Sequence, residues 1–298
     1  MSDQPRRPLS QADARYGAAR SRRLLLEAIA ALDEFEAAIT VVGAHAVHVW
    51  VQAAWGAIDM ESTRDGDLAV NPVFVTPTPK LAELMQSIGT TPAMPERPGI
   101  YGYSDEAELP LAERTTVDLI VPEAYAGPGR RAARIAGQLA ATSRAVGLEL
   151  AVWDRHLVTL TTVDEPTVSL EAFVAGPAAL VVAKAHKVHE RFEQVAVRPD
   201  RLRPKDSGDV ALLMMVSDGA QVAEVMVEQC AAHPEIRDAV ASAAGYLVDL
   251  YADEGIPRQH MTDALAARFD DAEVLSAVDS WISVFRDTAA SHGLSHPR

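Results

Sequence analysis

Cysteine is almost missing from this chain: Cys230 stands alone among 298 residues. One thiol cannot build a disulfide framework or a cysteine-based zinc site within the chain, and such usage suits a reducing compartment. Long apolar runs are missing as well. None approaches the roughly 18 residues that span a bilayer. Yet 48% of the residues are hydrophobic, enough for a sizeable core in one large domain or two smaller ones. Met1 to Arg23 is polar and basic and lacks the apolar centre of a signal peptide. A cytoplasmic protein without a membrane role is expected. Positive charge is short too: 27 Lys and Arg face 42 Asp and Glu, a formal net charge of −15. That argues against a general nucleic-acid coater but leaves room for a local basic groove. Lysine is the scarcest cation. Of Lys80, Lys184, Lys187 and Lys205, three fall between positions 184 and 205. Arginine clusters at Arg20, Arg22 and Arg23, at Arg130, Arg131 and Arg134, and at Arg198, Arg201 and Arg203.

Several chemistries have no motif. There is no Gly-x-Ser-x-Gly elbow, no Gly-x-x-x-x-Gly-Lys-Thr phosphate loop and no full Gly-x-Gly-x-x-Gly. His45 and His48, like His186 and His189, are three residues apart rather than the four of a His-Glu-x-x-His zinc helix. They read as surface or helix-packing residues.

What is present is an ordered series of acids. Asp65 and Asp67 share one face if Thr63 to Val70 is a strand, because alternate side chains point the same way. Two carboxylates so close repel unless a cation lies between them, and they are the hard oxygen donors that Mg²⁺ takes. By itself Asp-Gly-Asp reads as a solvated turn before it reads as a metal site. Asp118 interrupts the apolar run Thr115 to Val121 and reads as a third site carboxylate or an edge-strand acid facing water.

The surrounding pattern is mixed α/β, then helical. Met1 to Gln11 reads as a flexible arm, Ala12 to Ala38 as a helix and Ile39 to Val42 as a buried strand. Gly43 and a helix from Ala44 to Trp55 follow. Strand, glycine, helix offers backbone N–H groups to a phosphate, or is an ordinary turn. Pro79 to Ile88 and Pro128 to Ala145 read as helices, Thr90 to Leu111 as a long irregular loop, and Leu148 to Val152 and Leu157 to Thr162 as strands. From Gly176-Pro177 onward every periodic segment is helical. The expected architecture is α+β: a mixed sheet with flanking helices over residues 12–175, then a helical C-terminal domain over 176–298.

Taken in order, these features resemble the nucleotidyltransferase superfamily of DNA polymerase beta, and more closely the AbiEii-type nucleotidyltransferase toxins of bacterial toxin–antitoxin and phage-defence systems. The family's strand into Gly-Gly-x-Ala corresponds to Val42-Gly43-Ala44-His45-Ala46. Its Arg-x-Thr-x-Asp-x-Asp corresponds to Glu61-Ser62-Thr63-Arg64-Asp65-Gly66-Asp67. Its downstream lysine, arginine seven residues later, and basic-Asp-x-x-Asp correspond to Lys184, Arg191 and Lys205-Asp206-Ser207-Gly208-Asp209. Here Ala44 replaces a glycine and Glu61 an arginine. The resemblance implies a nucleotidyltransferase-like fold and transfer of a nucleoside monophosphate from an NTP to a hydroxyl, with pyrophosphate released. Asp65, Asp67 and Asp118 would hold Mg²⁺ or Mn²⁺, with Asp118 the nearest base. Gly43, Ala44 and Thr63 would border the nucleotide. Lys184, Arg191 and Lys205 would offset phosphate charge, with Asp206 and Asp209 at a helix start. Lys187, about sixty degrees round the helix from Lys184, is expected to matter less. The implied acceptor is RNA, such as a tRNA end, with the arginine clusters gathered on one rim of the cleft and a cognate antitoxin as partner. A small-molecule, antibiotic-type nucleotidyltransferase and an inactive nucleotide-binding relative are the alternatives.

Overall fold

The computed structural model describes residues 11–56, 63–94, 96–164 and 168–294. Most of the N-terminal arm, along with Glu61 and Ser62, lies outside them. Helix α1 (Gln11–Ala31) is followed by a short 3-10 segment and strand β1 (Ile39–Val42), which is buried along its whole length. A strand with β-branched residues at every position buries well on both faces. The chain turns at once into α2 (Gly43–Trp55) and returns as β2 (Asp65–Val70), antiparallel to β1. Helix α3 (Leu81–Ser87), then β3 (Thr90–Pro92), β4 (Ile100–Tyr103), β5 (Thr116–Pro122), β6 (Ser143–Ala145), β7 (Arg155–Thr161) and β8 (Ser169–Ala175) complete this half. The strands order as β3-β4-β5-β2-β1-β8-β7, with β6 beside β5. Because β2 and β5 are parallel and β4 and β5 antiparallel, the sheet is mixed.

Six helices follow: α4 (Pro177–Glu193), α5 (Pro204–Val216), α6 (Gly219–Ala232), α7 (Arg237–Tyr251), α8 (Ile256–Leu265) and α9 (Asp271–Ser291). Pro177 and Pro204 open their helices at positions where a missing N–H costs nothing. Asp218 and Asp270 cap α6 and α9, accepting from Gln221 N at 3.0 Å and Ala272 N at 2.9 Å. The expected mixed sheet with flanking helices, followed by a helical bundle, is what the chain forms. Trp153 joins the halves. Its indole stacks on His233 at 3.7 Å and donates to the Tyr125 hydroxyl at 2.9 Å, which in turn donates to Glu235 at 2.7 Å. No single helix among the described residues is long and apolar enough to cross a membrane.

Three local expectations fail. Pro128 to Ala145 is not a helix. Gly129 and Gly137 take positive φ angles, and Ala140 does so as well, which breaks any helical run. Leu148 to Val152 forms buried turns rather than a strand. The supposed loop from Thr90 to Leu111 contributes β3 and β4 to the sheet edge.

Candidate active site

The site is built on the ends of β1, β2 and β5. Gly43 adopts φ +69°, and a β-carbon there would lie 2.0 Å from Asp67 Oδ2. Only glycine therefore permits both the turn and the seating of Asp67 against it. The first turn of α2 has no side-chain cap, so its backbone N–H groups are left to other partners. Two residues after Gly43, the His45 ring ties this turn to α1. Arg22 Nε donates to His45 Nδ1 at 3.1 Å, which makes Nε2 the protonated nitrogen and the donor to Ser21 Oγ at 2.7 Å. Burial, then the Arg22 charge, holds His45 well below the ordinary histidine range. It is a neutral packing residue.

Asp67 pairs with Val42 on one side and with Asp118 on the other, and Asp65 lies opposite Thr116. Alternation puts Gly66 on the opposite face, where Leu25 of α1 would be 3.1 Å from an added β-carbon. Asp65-Gly66-Asp67 is thus strand, not turn. Asp65, Asp67 and Asp118 all line one cleft of about 450 Å³, together with Gly43, Ala44 and Thr63. Burial pushes the Asp65 carboxyl up, but the Thr63 hydroxyl donating at 2.5 Å and the Lys187 and Lys205 charges outweigh it and leave it below the usual range. Asp67 goes the other way. Burial first, then the neighbouring Asp65, raises it to about 6. Burial and then Asp67 and Asp65 raise Asp118 well above the carboxylate range. Asp118 Oδ1 is buried and meets no hydrogen-bond partner. Among the described residues no three His, Cys, Asp or Glu side chains close into a finished ligand cluster. The donor set still suits a hard divalent cation: oxygen ligands only, mutually repelling, with one orphaned acceptor among them.

The opposite wall is cationic and comes from α4 and α5. Buried Lys184 binds Asp209 Oδ2, with Asp206 Oδ1 at 3.9 Å. Lys187 pairs with Asp206 at 2.9 Å, and Arg191 binds the same carboxylate. Burial pushes Lys184 down, but Asp209 and Asp206 prevail and keep its ammonium firmly charged. Lys184, Lys187, Arg191, Arg203, Lys205 and Asp206 face the cleft; Asp209 does not, and stands behind Lys184.

Sequence reasoning expected most of these residues together and set Lys187 apart as mattering less, whereas it lines the cleft alongside Lys184. Its charge acts on Asp65 and Asp67 ahead of Lys205, because α4 turns it toward the carboxylates. It also missed Arg64 and Arg114, which line the cleft from the segment flanking β2 and β5. Of the arginine clusters expected on the rim, one member lines the cleft itself. Arg20 pairs with Glu106 at 2.6 Å, Arg22 is buried, and Arg130, Arg131 and Arg134 lie away from the cleft lining; only Arg203 of the three clusters reaches it.

No protein-family model matches the chain, and no curated protein does.

Proposed function

We propose that this chain is a divalent-metal-dependent nucleotidyltransferase, moving a nucleoside monophosphate from an NTP to an acceptor hydroxyl in the manner of the AbiEii-type toxins. One observation carries the reading. Three carboxylates on neighbouring strands share a cleft with an uncapped helix start and a wall of buried and half-buried cations. A structural salt-bridge network does not need Asp118 Oδ1 without a partner, nor a carboxyl raised by two neighbouring acids.

Asp65, Asp67 and Asp118 would hold the metal, Mg²⁺ or Mn²⁺. When bound, it neutralises triphosphate charge and makes a hydroxyl easier to deprotonate. The remaining work belongs to the chain. The α2 first turn, behind Gly43 and Ala44, binds phosphate oxygens through backbone N–H groups. Lys187, Lys205 and Arg191 offset charge as the bond from the α-phosphorus to the β-bridging oxygen breaks and pyrophosphate leaves. Lys184, locked on Asp209, fixes the α4–α5 wall and adds positive potential. The acceptor oxygen forms its bond to the α-phosphorus, and its proton passes to Asp118, which lines the same cleft from β5. An RNA acceptor, a cytoplasmic toxin role and a cognate antitoxin belong to the same proposal.

The test is thermal. Mg²⁺ with NTP raises the melting temperature if it binds the native state alone. Asp65→Ala combined with Asp67→Ala abolishes that rise. An unchanged rise in the double variant refutes the site.

A further inference from the structure

The cleft is ordered across its width. Its cations, Lys184, Lys187 and Arg191, are anchored on Asp206 and Asp209, on the α4–α5 side. The other wall sets apolar side chains beside Arg64 and Arg114. Ile100 is the register partner of Asp118 on β4, and beside it Leu111 and Ala112 line the same cleft. Leu111 is 38% exposed there. Neither phosphate nor cation has a use for an apolar wall next to a carboxylate floor.

This wall is also firmly held. The turn carrying Leu111 is fastened by Arg114, whose Nε donates to Leu109 O at 2.7 Å and whose Nη1 donates to Ala93 O at 3.3 Å. Arg64 Nη1 donates to Glu113 O at 3.0 Å. Glu106 accepts from Thr115 N at 2.5 Å and from Arg20 Nε at 2.6 Å. Exposed apolar side chains on a pinned turn are a prepared surface, not a loose loop.

We propose that Ile100, Leu111 and Ala112 form a shelf on which the terminal nucleobase of a nucleic-acid acceptor stacks, presenting its sugar hydroxyl to Asp118. This rests on the transfer reading above. The triphosphate belongs with the first turn of α2, which packs on α4 and α5 beside their cations, so the group reaching Asp118 from the opposite wall is the acceptor. Arg64 and Arg114 on this wall suit the phosphates that join such a base to its chain. The three shelf side chains carry no hydrogen-bonding group, so the shelf holds a base without reading its edge.

The experiment compares three probes by equilibrium binding in Mg²⁺: inorganic tripolyphosphate, an NTP with a non-cleavable α,β bridge, and a short single-stranded RNA. A fourth probe is the same RNA with an abasic 3′ end. Leu111→Glu should weaken the intact RNA about tenfold or more, the scale of losing one apolar side-chain contact. It should leave tripolyphosphate unchanged and the melting temperature close to that of the parent. Leu111→Phe should retain RNA binding. The abasic RNA should bind the parent as weakly as intact RNA binds Leu111→Glu. Equal binding of abasic and intact RNA overturns the shelf. So does a Leu111→Glu loss shared by tripolyphosphate. A loss confined to the NTP, with RNA unaffected, moves the base from acceptor to donor and overturns the acceptor assignment. Failure of tripolyphosphate to bind the parent protein counts against the transfer reading instead, and the two RNA probes still judge the shelf.

Discussion

Asp67→Asn should stabilise the metal-free protein at neutral pH. Asp67 is crowded between Asp65 and Asp118, and its carboxyl is raised from the ordinary 3.8 to about 6. Two units at 1.36 kcal/mol each make about 3 kcal/mol of unfavourable charge at pH 7. Water enters through the cleft mouth, which reduces the figure to about 1–2 kcal/mol. The sign follows from proton binding. The native carboxyl holds its proton more tightly than the unfolded chain does, so stability falls as pH rises from about 4 to about 6 and is flat above. Asn carries no charge and escapes that loss, while also relieving Asp118. In chelator, urea midpoints and melting curves of parent and variant should diverge between pH 4 and 6. At pH 7 the gap should be about 2–4 °C. Adding Mg²⁺ should narrow or reverse it, because only the parent keeps the full donor set. A variant less stable than the parent at pH 7, or a gap that persists undiminished at pH 4, refutes the crowded-carboxylate account.

Other substitutions probe separate parts of the site. Gly43→Ala puts a β-carbon against Asp67 at positive φ and should cost about 1–3 kcal/mol by urea denaturation, and eliminate stabilisation by Mg²⁺ and NTP. Lys184→Ala leaves Asp206 and Asp209 short of a buried partner and should cost about 3 kcal/mol, so its activity loss will be mixed with instability. Lys187→Ala, with a half-exposed side chain, should barely move the melting temperature yet cut transfer about a hundredfold; equal thermal losses at 184 and 187 would contradict this division. Transfer to RNA should weaken as salt rises. Charge reversal at Arg130, Arg131 and Arg134 should leave its KM unchanged, since none of them lines the cleft.

The legible parts of the fold were those written in local periodicity. β1 coincides with the run Ile39 to Val42, and α4 starts at Pro177 where the boundary was read. The period-two spacing of Asp65 and Asp67 correctly placed both on one face. Gly66 looked like a turn residue, but its use is close packing against Leu25, a contact of long sequence separation. The same limit explains β3 and β4, whose Pro and Gly content reads as loop until the edge of β5 is available to pair with them. Angular distance from Lys184 does not reveal that Lys187 also lines the cleft. Which flank of α4 faces the carboxylates depends on α5, whose Asp206 gathers Lys184, Lys187 and Arg191 together. The cleft's apolar wall was not visible at all, since Ile100 and Leu111 come to line one cleft only through the pinned turn.

The most direct measurement is transfer itself. The protein is incubated with Mg²⁺, each α-labelled NTP in turn and total RNA, and labelled RNA and released pyrophosphate are quantified together. The account predicts label on RNA from at least one NTP, one pyrophosphate released per nucleotide added, and loss of both signals in Asp65→Asn and in Asp67→Asn. Labelling that survives either substitution, or NTP consumption without stoichiometric pyrophosphate, would contradict it.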